Sequence, residues 1–440
     1  MSCSYDVHIP PIYYEQPKEV ITEMNGTKLF QRLAIVPIVA LGLTVAGCNK
    51  QADNGTTTTP TTTANTSTTT TTGKNTTLNY SKNSPLDTAN MFTQTDLTQT
   101  VDTTTAKKIT LEDGKDVTID AAGTYVITGT AKNSTVIVNA SADAEVHLVF
   151  DNASITNTNK PTVYAVNAKN VYVTTTQNST NNLKVTGEFT EDDGKNIDAV
   201  IFAKTNITLN GLGTLNIDSS ANGVTSNNDL KVTGGTYNIN TTKHGFKALN
   251  SIRVADGTFN INATKDGFHS ENEDDLTTGY VYIAGGNFTI NSEDDGIQGT
   301  TITEIDGGTF DINAVEGIEG TYVQINDGTI KIYATDDGIN ASKKATNYDV
   351  QLEINGGNLD ITMAEGDTDA LDANGTLTIN GGYINITAQS AFDYDLTGTL
   401  NGGTVIVNGT QVTTLENSMM GGPGGQPGQG GPGGFGGPQH

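Results

Sequence analysis

Tryptophan is absent from the 440-residue chain, cysteine and arginine occur twice each, and charged residues make up only 16%, against roughly 25% in an ordinary soluble domain. The shortage falls on the positive side: 23 basic residues face 49 acidic ones, a net charge of −26. That balance argues against direct nucleic-acid binding, because phosphate neutralisation needs clustered Lys and Arg. An anionic partner of any kind would need a cation in between. No apolar run reaches the roughly 18 to 20 residues of a conventional transmembrane span, so the chain does not read as polytopic. Gly, Thr and Asn fill the gap. They disfavour long helices and point to fewer domains than the three or so that length alone allows.

Residues 1–48 read as a leader and signal peptide. Lys28 and Arg32 precede an apolar stretch over 33–45, which runs into Ala46-Gly47-Cys48, in the order charged, apolar, small that a secretory signal needs. The run Leu43-Thr44-Val45-Ala46-Gly47-Cys48 resembles the lipobox of bacterial lipoproteins. It implies that Cys48 is lipidated and that the protein is extracellular, touching the membrane through that anchor alone; Met24 is placed to be the true start. With Cys3 in the removed segment and Cys48 acylated, no thiol is left for disulfide, metal or nucleophile chemistry. Residues 49–104 are expected to be a Thr-rich disordered tether, and 417–440, dominated by Gly, Pro and Gln, a flexible tail.

Self-similarity decides the fold of what lies between. Gly234-Gly235-Thr236-Tyr237-Asn238-Ile239-Asn240 returns as Asp256-Gly257-Thr258-Phe259-Asn260-Ile261-Asn262, then as Gly285-Gly286-Asn287-Phe288-Thr289-Ile290-Asn291 and Gly307-Gly308-Thr309-Phe310-Asp311-Ile312-Asn313. Further copies run to Gly403, with a base period of about 22 residues. A β-propeller blade would need about 40 to 45. Strict alternation within each copy is a strand with one buried face, and a second strand such as Val281-Tyr282-Ile283 precedes each glycine pair. Coils of a parallel β-helix satisfy this pattern over 201–416, with 105–200 as an N-terminal β-rich cap and first coils. Strands of successive coils then pair at about 4.8 Å and inward Ile, Val and Phe form continuous columns. The glycine pairs supply positive-φ corners, the insertions 271–275 and 342–347 project as loops, and Asn240, Asn262, Asn291 and Asn313 form an amide ladder.

The segments Gly123-Thr124-Tyr125-Val126-Ile127-Thr128-Gly129 and Val146-His147-Leu148-Val149-Phe150-Asp151-Asn152-Ala153-Ser154-Ile155, the glycine-led coils and the Gly-Pro tail follow one another in order. Together, over about 105–415, they resemble the bacterial carbohydrate-binding β-helix lipoproteins. The resemblance implies an all-β, right-handed parallel β-helix similar to pectate lyases, bound calcium, and binding of cellulose or acidic, pectin-like polysaccharide.

A second corner follows each glycine-led strand. Aligning these corners stacks His244, Asp266, Asp295, Glu316, Asp337 and Asp369 in one column, and Lys247, His269, Gln298, Glu319, Asn340 and Asp372 in another. Carboxylates one rung apart would repel by roughly 3 to 4 kcal/mol at an effective dielectric of 20. Such a column must take up protons or hold cations. Calcium, which accepts six to eight oxygens in loose geometry, is expected at Asp294, Asp295, Glu316, Glu319, Asp336 and Asp337, and again at Asp369, Asp372, Asp393 and Asp395. A solvated acidic face is the alternative. His147, His244 and His269 read as surface histidines, since a zinc site would want more of them at ligand spacing.

Several functions fit these columns. A monomeric polysaccharide binder would use the calcium with Lys243, Lys247 and Lys265 and with tyrosine platforms at Tyr280 and Tyr282, or Tyr333 and Tyr394. A lyase would need calcium to acidify a uronate α-proton and Lys243, Lys247, Lys265 or Arg253 to remove it. Hydrolysis by paired carboxylates and an inert surface adhesin or spacer remain open beside them.

Overall fold

The computed structural model describes residues 84–417 except 193, 195 and 367, so the leader, Cys48 and the Gly/Pro tail beyond 417 lie outside the described residues. Each coil contributes three short strands, and each strand pairs in parallel with its counterpart one coil on. Asp229–Val232, Thr236–Thr241 and Phe246–Ala248, for example, carry Ser251–Val254, Thr258–Ala263 and Phe268–Ser270. Three parallel sheets result, the first preceding each glycine pair, the second following it, and the third following the acidic corner. This is the parallel β-helix that the repeats predict.

Alternation sets which way each side chain points. In Thr258–Ala263, Phe259 and Ile261 are buried while Asn260 and Asn262 are exposed. Inside, Tyr237, Phe259, Phe288 and Phe310 stack with ring centroids 5.4, 4.7 and 4.4 Å apart. Burying each such side chain stabilises the fold by about 1.5–3 kcal/mol. Outside, Asn262 donates to Asn240 at 2.9 Å and Asn291 to Asn262 at 3.1 Å, so the amide ladder forms over these three, with Asn313 next in register.

Two kinds of glycine shape the corners. Gly308 has φ +115°, a conformation that side chains with a Cβ rarely adopt. The glycine of the acidic corner is needed for space instead: a Cβ on Gly296 would lie 2.5 Å from the Gly317 carbonyl oxygen and 2.6 Å from Ile312 Cγ2.

The two ends of the stack differ. Parallel coil pairing already begins where Lys107–Thr110 meets Gly123–Lys132, so 105–200 is built as coils. The last strand, Thr410–Val412, turns back antiparallel on Thr404–Val407, and Leu415 joins the core. A terminal coil has no successor to pair with, and the hairpin occupies its edge.

The tether expected over 49–104 is corrected from Ser84 onward. Residues 84–104 lie as a strap along the first sheet, with a short helix Gln94–Leu97 closed by a capping box between Thr93 and Asp96. Buried Asp96 pairs with Lys231 at 2.7 Å and accepts from Thr208 Oγ1 at 2.9 Å. Gln99 donates to the Thr233 carbonyl at 2.8 Å, and Ser84 Oγ donates to Glu304 at 2.6 Å. Burying polar groups is tolerable here because each finds a partner.

Candidate functional site

The acidic corner and the third sheet form the two columns that the alignment predicts. Main-chain N–H groups of Gly245, Gly267, Gly296 and Gly317 donate to the carbonyls of Asp266, Asp295, Glu316 and Asp337, which fixes the first column. Lys247, His269, Gln298, Glu319, Asn340, Asp372 and Asp393 pair in unbroken register in the second. Both follow from a period that returns each corner to the same place.

Within them the carboxylates converge. Ligand oxygens of Asp295, Glu316 and Glu319 lie within 4.8 Å of one another, as do those of Asp266, Asp294 and Asp295, and of Glu316, Asp336 and Asp337. Gln298 Nε2 bridges Asp295 and Glu319 at 2.6 Å each. Ser342 Oγ donates to Glu319 at 2.9 Å, and Asn340 Nδ2 to Glu316 at 3.1 Å. Asn340 is buried, yet its Oδ1 has no hydrogen-bond partner among the described residues, and neither does Asp372 Oδ1.

Electrostatics record the crowding. Burial, reinforced by the charges of Asp266, Glu319 and Glu316, pushes the Asp295 carboxyl far above the usual range. Burial with Glu319 and Asp337 beside it raises Glu316 to about 8. Burial and the neighbouring carboxylates likewise raise Asp337 and Asp372 to about 7 each. Repulsion at contact distance favours the neutral form of one partner. The donor set, carboxylates with amide oxygens, fits a hard cation of the calcium type.

The second expected set does not close. Asp372 and Asp393 share a register pair, but Asp369 accepts from Ser390 Oγ and Asp395 is exposed just past the strand end at Tyr394. Among the described residues, no three of Asp369, Asp372, Asp393 and Asp395 converge. Asp393 and Asp395 still add charge beside Asp372, but without a third ligand atom in reach.

The expected sugar contacts are redistributed. Lys243 is paired with Asp198, and Lys265 with Asp294 at 2.7 Å, which leaves Lys247 in register with His269 at the column's edge. Tyr282 is corrected outright as a platform: it is fully buried, donates to Asp306 at 2.9 Å and meets Phe92 of the strap. Tyr280 stacks under Arg253, 5.5 Å from the ring centroid, with its hydroxyl 3.8 Å from Met91 Sδ. The strap covers the sheet that carries both. Tyr394 donates to the Leu415 carbonyl. Tyr333 and Tyr383 are instead 44% and 46% exposed, both on the second sheet. Tyr383 was legible in principle, since it takes the outward threonine position after Gly381-Gly382.

Sequence reasoning also missed a cleft. The two insertions do not simply project: Lys344 and Ala345 N–H donate to Thr321 Oγ1, and Asn347 bonds to the Leu276 carbonyl. Between them opens a cleft of about 350 Å³ lined by Glu271, Glu273, Leu276, Gln298, Thr300 and Lys344. Gln298 belongs to the column, so cleft and acidic residues are continuous.

The histidines are corrected as well. His244 and His269 are not isolated surface groups, for their rings stack at 4.4 Å over the buried Asp266. The spacing of 25 residues hides this, but the coil period brings the pair together.

Known proteins are similar to this chain. A family model described as carbohydrate-binding domain-containing protein matches residues 113–388. A protein of the same description from Acetivibrio thermocellus is 31% identical over 116 residues, which is 26% of this chain. The chain spans about 41% of the length of that curated relative. A solved structure of a polysaccharide lyase-like protein from C. thermocellum is 22% identical, with a TM-score of 0.40 over 68% of this chain and 96% of the other.

Proposed function

The chain belongs to the carbohydrate-binding domain-containing protein family, and on that premise we propose that it binds an acidic polysaccharide outside the cell through calcium held in the Asp295–Glu316–Glu319 column. The observation that carries this reading is the convergence of those three carboxylates beside the cleft of Gln298 and Lys344. A chain of charge −26 repels a polyuronate unless cations intervene, and calcium with an open coordination position can take a sugar carboxylate. Asn340 Oδ1 is the kind of buried acceptor that such an ion would satisfy.

Residues Asp294, Asp336 and Asp337 flank this set and would complete its oxygen count. Lys247, unlike Lys243 and Lys265, is left to meet the glycan. A neutral glucan would depend less on the ion and more on hydrogen bonds and the exposed Tyr333 and Tyr383. The lipobox resemblance at Cys48 supports a lipid anchor for the binder.

Retention on immobilised polygalacturonate, measured with calcium and with chelator, tests the proposal, with ultraviolet absorbance followed in the same incubation. Calcium-dependent retention without new absorbance is the expected result. Retention that ignores chelator, or equal binding to a neutral glucan, removes the calcium bridge. Sustained absorbance growth, the mark of an unsaturated uronide, replaces the binder with a lyase.

A further inference from the structure

At the N-terminal end of the two columns, the corner changes chemistry. His244, at the turn into Phe246–Ala248, Asp266, at the next turn, and His269, on Phe268–Ser270, present three ligand atoms within 4.8 Å of one another. His244 Nδ1 lies 3.4 Å from Asp266 Oδ2, and His269 Nδ1 contacts the same oxygen. The carboxylate is fixed in orientation, since its Oδ1 accepts the Asp295 N–H at 3.3 Å while Oδ2 faces the imidazoles. Asp266 is only 2% exposed.

Hydrogen bonding alone does not account for the group. His269 is satisfied on both sides, with Asp266 at Nδ1 and Glu271 Oε2 at 3.2 Å from Nε2. His244 Nδ1 is buried and has no hydrogen-bond partner among the described residues. A tetrahedral ion with bonds of about 2.0–2.1 Å needs its donors about 3.3–3.4 Å apart; His244 Nδ1 and Asp266 Oδ2 already stand at that separation, while His269 Nδ1, in direct hydrogen-bond contact with the same oxygen, would have to draw back to admit the ion. A metal-bound imidazole characteristically gives its other ring nitrogen to a carboxylate, which fixes tautomer and orientation. Glu271 stands in that relation to His269.

We propose that His244, Asp266 and His269 bind a divalent transition metal of the zinc class at the N-terminal end of the columns, next to the Asp295–Glu316–Glu319 set and sharing none of its three carboxylates. Two imidazole nitrogens and one carboxylate select such an ion over calcium, which takes oxygen ligands. Glu271, Asp294 and Asp295 add negative charge around it, partly offset by Lys247 and by Lys265, which is paired with Asp294. Three protein ligands leave a fourth position for water, and the histidines, 14% and 10% exposed at the side chain, leave a path to it from solvent.

Cobalt(II) titrated into the full chain, saturated beforehand with calcium, tests the site by its visible absorption. Stoichiometric binding with the strong bands of a four-coordinate ion, bleached by added zinc, is expected. His244→Ala and His269→Ala should each abolish the bands, Glu271→Gln should weaken binding roughly tenfold or more, and His147→Ala should change nothing. Calcium-dependent stabilisation should persist in His244→Ala, which separates this site from the column. A calcium-saturated wild-type chain without these bands overturns the proposal whatever the variants do, and so do bands that survive in both histidine variants.

Discussion

Lys344 Nζ lies 2.7 Å from Glu319 Oε2, whose side chain is only 4% exposed. A lysine from an insertion thus supplies positive charge to a column that repeats build from carboxylates. Removing one partner of a buried pair leaves the other uncompensated. Lys344→Ala should therefore lower stability in chelator by about 1–3 kcal/mol, less than for a fully buried pair because the lysine is partly open. Calcium should raise its melting temperature by more than it raises that of the wild type. Equal calcium shifts in thermal melts would separate Lys344 from the cation site.

The raised carboxyls set a pH dependence. Glu316 keeps its proton up to about 8 and Asp337 up to about 7 in the folded chain, while an unfolded Glu or Asp has lost it by about 4. Between those limits the native state binds more protons, so in chelator stability is greatest at low pH within this window and falls as pH rises toward 8. Glu304, also raised to about 8 chiefly by burial, contributes with the same sign. Denaturant melts from pH 5 to 8 should show this slope, and Glu316→Gln should flatten it. Calcium should flatten it too, by binding the deprotonated form.

A buried ion pair pins the middle of the strap. Asp96 remains ionised although burial opposes it, because Lys231 and the Thr93 N–H hold its charge. Asp96→Ala should cost about 3 kcal/mol by stranding Lys231, and hydrogen exchange should rise over residues 84–104. Stability within a few tenths of a kilocalorie of wild type would show that the strap contributes little.

Space at the acidic corner is testable through Gly296. A methyl group there meets the Gly317 carbonyl at 2.5 Å, so Gly296→Ala should destabilise by about 1–3 kcal/mol through overpacking. It should also weaken calcium-dependent retention on polygalacturonate, because Asp295 and Gln298 flank the displaced backbone. Retention unchanged at a lowered melting temperature would uncouple corner geometry from binding.

Anchoring is tested at Cys48. Cys48→Ala should move the protein from the membrane fraction into the medium, or into the periplasm of a cell with an outer membrane. Unchanged fractionation would remove the lipobox reading.

The sequence by itself determined everything that repeats. A period near 22 places Phe259 on Tyr237, Asn262 on Asn240 and Glu319 on Gln298, because in a solenoid each residue's neighbour is its equivalent one coil away. The stacked carboxylates could therefore be read without coordinates, down to the residue. Contacts outside the period were decided by tertiary structure alone. Asp96 meets Lys231 across 135 residues, and no pattern in a Thr-rich segment announces where it will lie. Its docking buries Tyr282, which alternation could call outward but not covered. His244 and His269 join through Asp266 because one sits at a corner and the other three residues past the next, a diagonal that a column-by-column alignment keeps apart. Asp395 lies just past the strand that ends at Tyr394, outside the register that aligns Asp372 with Asp393. Periodicity encodes the pairing of like with like; diagonals, insertions and chain ends are settled by packing in three dimensions.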